Sequence, residues 1–338
     1  MIHKKMGKAG ALAAITLACV FSLSTTSHGA IDDGLVSYWP LDGNFVDTQS
    51  GNNGTLMGAN TTPSFTAGKL GQGIDLDGAA TNGQFVQIDP ASESDYDFLN
   101  QDFSISAWFR VDGLTKEWQA LIAKGEGERW RVHRRALEDE LTFVGGSPEV
   151  ADHNTPINNG QFHHFVGLSI QGVGTQMWQD GVLVATGPAP TNSNNNNAMP
   201  VMIGENPDAR NRTWDGVIDD VGIWGRALSA AEIAQLYNGG AGATIPQILG
   251  VVGEDVNGDG AIDILDYEII RDNMGQSPAT QGDGDVNFDG TVDLRDFRAW
   301  KEAFNAAPAA VPEPGALGLL LLAAALLGVR SRTRRDAV

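Results

Sequence analysis

Phe103-Ser-Ile-Ser-Ala-Trp-Phe-Arg110 sets Phe103, Ile105, Ala107 and Phe109 on one side and Ser104, Ser106, Trp108 and Arg110 on the other. Successive side chains of a strand point to opposite faces, so this run predicts a β-strand with one apolar face. The period of two recurs outward in both directions, in residues 34–39, 85–88, 129–133, 163–170, 175–179 and 217–224, each bounded by Gly, Asn or Asp. Asp180-Gly181, between residues 176–179 and 182–185, is the pair that a two-residue hairpin favours. Many short strands with turns between them predict an all-β sandwich, or jelly roll, over residues 31–245. One helix breaks the pattern. Ser229-Ala-Ala-Glu232 is a capping box, and Ile233, Leu236 and Tyr237 give the helix an apolar face.

The pattern changes after residue 245. Residues 255–266 read Asp-Val-Asn-Gly-Asp-Gly-Ala-Ile-Asp-Ile-Leu-Asp, and residues 285–296 read Asp-Val-Asn-Phe-Asp-Gly-Thr-Val-Asp-Leu-Arg-Asp. Side-chain oxygens fall at positions 1, 3, 5, 9 and 12: Asp255, Asn257, Asp259, Asp263 and Asp266, then Asp285, Asn287, Asp289, Asp293 and Asp296. The carbonyls of Ala261 and Thr291 would complete each shell, and Gly260 and Gly290 take the sharp turn. Four carboxylates in so short a loop repel one another without a divalent cation, and an all-oxygen set favours Ca²⁺ over zinc or copper. Two Ca²⁺ are therefore expected. Each loop leads into a helical pattern, with Leu265, Ile269 and Ile270 in the first and Leu294, Phe297 and Phe304 in the second.

Three resemblances follow from these residues. The segments Leu35-Val-Ser-Tyr-Trp-Pro-Leu-Asp42-Gly-Asn44, Gly68-Lys-Leu-Gly-Gln-Gly73, Phe103 to Trp108, His163-His164, Gly216-Val-Ile-Asp-Asp-Val221 and Arg226 to Ile233 resemble the laminin-G-like, concanavalin-A-like jelly-roll modules of bacterial secreted proteins. That fold carries lectins, adhesion modules, glucanases and spacers, so the resemblance implies the fold more sharply than the function. The paired loops, with Asp rather than Glu at position 12 and no entering helix, resemble a type I dockerin over about residues 253–305 and imply a cohesin-like protein partner. In that family positions 10 and 11 help to recognise cohesin; here they are Ile264-Leu265 and Leu294-Arg295, which differ from each other. Finally, Val311-Pro-Glu-Pro314, the apolar run that follows (316–329) and the cluster Arg330, Arg332, Arg334 and Arg335 resemble a PEP-CTERM sorting signal, which implies processing by an exosortase-type enzyme.

The other end is also an address. Lys4, Lys5 and Lys8 precede an apolar stretch and a small, polar run ending at Ala30, the order of a secretory signal peptide. The expected organisation is thus a signal peptide over 1–30, the sandwich over 31–245, a small α-helical Ca-binding dockerin-like module over 246–306, and a linker and sorting tail over 307–338. Export to the cell envelope or beyond is the expected location. The chain has 22 Lys+Arg against 42 Asp+Glu, a formal charge of −20, and seven of its bases sit in the two end segments. So acidic a body excludes general nucleic-acid binding, because no release of counterions from a phosphate backbone would drive it.

Catalytic chemistry is weakly represented. A retaining glycosidase needs two carboxylates about 5–5.5 Å apart. The nearest run, Glu93-Ser-Asp95-Tyr-Asp97-Phe98, lacks a second Glu, and residues 138–140 read as a solvated turn. His163 and His164 are strand neighbours facing opposite ways, one expected buried and one exposed. Binding is better represented. Arg129, Arg131 and His133 alternate along one strand with Trp118 nearby in sequence, a stripe that could receive an anionic glycan; a polar face balanced by neighbouring Glu residues is the alternative. Asp42, Asn44 and Asp47 in an early loop, with Asp219 on a late strand, could hold one structural Ca²⁺; ordinary turn chemistry is the alternative. The favoured function is noncatalytic recognition of extracellular polysaccharide or surface protein. A glycoside hydrolase on the same fold and a structural matrix protein remain open.

Overall fold

The computed structural model describes residues 30–151, 155–191, 197–249, 253–257, 262–277, 279–287 and 289–306. The expected signal peptide apart from Ala30, the expected sorting tail with its apolar run 316–329, and two of the expected calcium ligands, Asp259 and Ala261, lie outside the described residues. Among the described residues no helix is long and apolar enough to cross a membrane.

Fifteen strands are described. The first sheet comprises β1 (Leu35–Trp39), β3 (Phe65–Ala67), β4 (Gln72–Asp77), β6 (Phe103–Val111), β11 (His163–Ile170), β12 (Gly174–Gln179), β13 (Val182–Gly187) and β15 (Asp215–Trp224). Its order is β13-β12-β11-β6-β15-β4-β3, with β1 also paired to β15. The second comprises β2 (Gly54–Met57), β5 (Phe85–Ile88), β7 (Ala120–Ala123), β8 (Arg131–Arg134), β9 (Leu141–Val144), β10 (Val150–Ala151) and β14 (Met202–Ile203), in the order β10-β9-β8-β7-β14-β5-β2. All pairings are antiparallel. The turn at Asp180-Gly181 is the expected one: both residues have positive φ, 51° and 74°, and join β12 to β13.

Phe103, Ile105, Ala107 and Phe109 of β6 enter one continuous core with Val132, Leu141 and Phe143 of the second sheet and with Trp130, just before β8. Apolar burial of this kind is the main stabilising term of a sandwich. The other face of β6 is not wet, as alternation alone would have it. Ser104, Ser106 and Trp108 are buried too, because helix α1 (Ala230–Tyr237) and the chain after it lie over this face. Trp108 packs against His164 (ring centroids 4.8 Å apart) and Tyr237 (6.0 Å). The capping box of α1 forms as read: Ser229 Oγ accepts from the Glu232 amide, and Glu232 accepts from that of Ser229.

After the short helix α2 (Ile245–Ile248) come α3 (Ile264–Asp272) and α4 (Leu294–Ala306), each opened by one acidic loop. Their small core is Val256, Ile270, Ala279, Val286, Val292 and Trp300. Leu265, Leu294 and Phe304, which belong to the helical pattern, are 49%, 70% and 43% exposed. A two-helix unit has one seam to bury, and Trp300, tied by its indole N–H to the Asp263 carbonyl (3.2 Å), fills it.

Candidate functional site

The second acidic loop is the best described. Asp285 accepts from the Asp289 and Gly290 amides (3.0 and 2.8 Å), and Asp296 from those of Val286, Asn287 and Asp293 (2.9, 3.1 and 2.7 Å). Asn287 Oδ1 accepts from the Asp289 amide (2.9 Å), and Asp289 Oδ1 from that of Thr291 (3.0 Å). Asp293 caps the first turn of α4 through the Arg295 amide (2.6 Å). In the first loop Asp266 accepts from the Asn257 and Asp263 amides (3.1 and 2.7 Å), and Asp263 from that of Leu265 (2.8 Å). Burial, resisted by the Gly290 amide and reinforced by Asp296 and Asp289, pushes Asp285 up to about 7; burial also raises Asp289 and Asp296. The donor chemistry fits a hard cation. Among the described residues, however, no three His, Cys, Asp or Glu side chains are grouped as metal ligands: the carboxylates turn instead to the loop's own amides and to Arg295.

The sandwich also buries acids. Of the four residues read as a structural site, Asp47 organises its own turn: Oδ1 accepts from the Tyr38, Gln49 and Ser50 amides (3.0, 2.9 and 3.3 Å), while Oδ2 accepts from Ser50 Oγ and the Asn52 amide. Asn44 Oδ1 accepts from Val46 N (2.8 Å), again turn chemistry. Asp42 and Asp219 do approach one segment. Asp42 accepts from the Gln72 amide, and Asp219 Oδ2 from the amides of Lys69 and Leu70 (2.6 and 2.9 Å). Asp220 stands beside Asp219 in the sequence, but its partner could not be read there. A bulge in β15 after Asp219 breaks the alternation, and Asp220, at φ 47°, receives the Tyr38 hydroxyl. Asp219 Oδ1 and Asp220 Oδ2 are buried with no hydrogen-bond partner. Burial drives Asp42 up to about 7 and Asp220 up to about 8; Asp219, raised by burial and then by the charge of Asp220, lies well above the usual carboxylate range.

The Arg-Trp stripe is assembled on the outer face of β8, but under cover. Arg131 and His133 are 8% and 1% exposed, and Trp118 lies 5.7 Å from the His133 ring. Arg129 pairs with Asp208 rather than with the stripe, and Arg131 lies 3.9 Å from Glu126. Arg212, unsuspected from sequence, reaches Glu126 (2.6 Å) and the Trp118 ring (5.8 Å). His133 Nδ1–H donates to the Arg134 carbonyl (2.7 Å), leaving Nε2 as an acceptor; burial and then Arg131 hold this imidazole down at about 3, so it is neutral. Thr142, directly opposite His133 in the β8–β9 register, shares its face. Arg131 Nε, His133 Nε2 and Thr142 Oγ are all buried without a hydrogen-bond partner.

Glu93 and Asp97 are counter-ions of Lys124, whose side chain is wholly buried and also donates to the Asn197 carbonyl (2.9 Å). His163 and His164 face opposite ways as expected, yet both are buried. His163 bonds Asp180 (2.7 Å) and Asn159 (3.1 Å), and His164 Nε2 bonds Ser106 Oγ (2.9 Å). The space beside His164 and Ser106 is about 10 Å³, too small for a substrate. A larger cavity of about 640 Å³ lies between Leu35, Val46 and Ile245 on one side and Ala279 and Gln281 on the other, and none of the stripe residues lines it.

Residues 80–234 match the model of the concanavalin A-like lectin/glucanases superfamily, and residues 253–305 that of the dockerin type I domain. The chain has a β-sandwich of concanavalin A-like fold followed by a small helical region that matches the dockerin type I domain. No curated protein matches it. Among solved structures, similar ones include domain 4 of AbnA, a GH43 extracellular arabinanase from Geobacillus stearothermophilus, solved in complex with arabinotriose. It is 18% identical at a TM-score of 0.47, covering 62% of this chain and 98% of that one. The binding domain of Paraclostridial Mosquitocidal Protein 1 is 18% identical (TM-score 0.48), and that of botulinum neurotoxin serotype C1 is 15% identical (TM-score 0.47). Each covers 62% of this chain, which spans about half (52%) of their lengths. A concanavalin A-like sandwich followed by a region matching a dockerin supports a binding and assembly role.

Proposed function

We propose that the protein is an exported recognition component: the sandwich binds an extracellular, anionic polysaccharide, and the dockerin attaches it to a cohesin-like partner when its loops hold Ca²⁺. Three unsatisfied buried polar atoms on one sheet face carry the binding half. An unmade hydrogen bond in the interior costs about 1–3 kcal/mol, so Arg131 Nε, His133 Nε2 and Thr142 Oγ mark a place where a ligand's oxygens and hydroxyls would be held. Arg212 and Trp118 at the rim supply charge and a stacking surface. For the dockerin, Asp285, Asn287, Asp289, Asp293, Asp296 and the Thr291 carbonyl would hold one ion, and the matching residues of 255–266 the other. Bound Ca²⁺ would relieve the mutual repulsion of these carboxylates. Export through the leader ending at Ala30, and sorting through the Pro-Glu-Pro tail by an exosortase-type enzyme, complete the reading.

A glycan array probed with the full chain, with and without Ca²⁺, tests the binding half. Retention of uronic-acid or sulfated glycans over neutral ones is expected. The burial of Arg131 and His133 favours a second reading, a structural matrix protein whose sandwich holds no ligand. An array silent under both conditions would establish that reading against the first.

A further inference from the structure

The two calcium loops share their donor positions but not their eleventh residue, which is Leu265 in the first and Arg295 in the second. Leu265 carries no charge and is 49% exposed. Arg295 folds back over its own loop. Its Nε and NH2 lie 3.0 and 2.9 Å from Asp293 Oδ2, and NH2 lies 2.7 Å from Asp289 Oδ2. Asp289 is 4% exposed, and its Oδ2 accepts no hydrogen bond, so the guanidinium is the positive charge set against it. The planar fork of Arg suits two neighbouring carboxylates, and its charge is permanent. Asp289 and Asp293 are loop positions 5 and 9, both ligand positions.

We infer that Arg295 is a built-in counter-ion of the second loop, which keeps that loop folded without metal and competes with Ca²⁺ for Asp289 and Asp293. The inference rests on the calcium reading above. Its consequence is an asymmetric pair. The first loop meets Ca²⁺ with no basic side chain at this position, whereas in the second the ion must displace a charge already seated. The first site is therefore the tighter.

The test is a calorimetric Ca²⁺ titration of the chelator-stripped full chain as native protein, Arg295→Gln and Arg295→Lys, paired with amide hydrogen exchange over residues 285–304 in chelator. Native protein is expected to show two affinities. Arg295→Gln should tighten the weaker about tenfold, leave the other unchanged, and lose exchange protection in chelator. Arg295→Lys should keep the native affinity and protection. Two native sites with neither affinity raised by Arg295→Gln, or undiminished protection in that variant, would overturn the inference while leaving the calcium reading intact. A native chain that takes up no Ca²⁺ would overturn the calcium reading and, with it, the competition.

Discussion

The sandwich and the dockerin bury charge in opposite ways. In the sandwich, several ionisable groups are matched inside a large apolar core: Lys124 against Glu93 and Asp97, His164 on Ser106, Tyr38 on Asp220. In the dockerin the apolar core is a few side chains, and the carboxylates of the second loop crowd beside it with amides and Arg295 for company. The difference teaches where each part gets its order. The sandwich is held by its own interior, whereas the dockerin region crowds its carboxylates where the proposed Ca²⁺ would balance them.

That contrast can be broken by experiment. The largest effect is expected at Lys124. Replacing it by Ala strands Glu93 and Asp97, and breaking a buried pair costs about 3–5 kcal/mol. Chemical denaturation followed by tryptophan fluorescence should show that loss equally with Ca²⁺ and with chelator; a Ca²⁺-dependent loss would erase the contrast. Next, Ca²⁺ at a hundred times its dissociation constant should stabilise the dockerin by about 2.7 kcal/mol per site, with no change in the sandwich transition. Asp285→Ala should remove the second loop's share, as read by calorimetric melting.

The smallest expected effect is on pH. Burial holds the His164 imidazole down at about 3 in the fold, against about 6.5 when unfolded. Between those values the unfolded chain takes up a proton that the folded chain refuses, so this residue's contribution is complete above pH 6.5 and falls as pH drops. At pH 5 the loss amounts to about 2 kcal/mol. His164→Gln should flatten sandwich stability over that window, and an unaltered slope would mean that the ring titrates normally. The dockerin, residues 253–305, contains no histidine, so the variant should leave its response unchanged.

Much of this was legible beforehand, for physical reasons. Phe103 to Phe109 announced the core strand because a pleat alternates, and Asp180-Gly181 announced the hairpin because it needs positive φ. The duplicated loops were legible because the same Asp and Asn positions recur at the same spacing in both. Less legible was everything set by a neighbour distant in sequence. Trp108 is buried because α1 returns over its face, and Asp220 joins Asp219 because a bulge suspends the alternation. Thr142 meets His133 only through the β8–β9 register, and Arg212 reaches Trp118 from a loop 94 residues away.

By itself, then, the sequence determined the class of the fold and the likeness of its second region to a dockerin, since these follow from local period, turn chemistry and residue spacing. Only the tertiary structure decided which charges are spent. Glu93 and Asp97 are taken by Lys124, Asp47 by its own turn, and Asp289 by Arg295, because a buried charge is committed to whatever the fold places within a few ångströms of it.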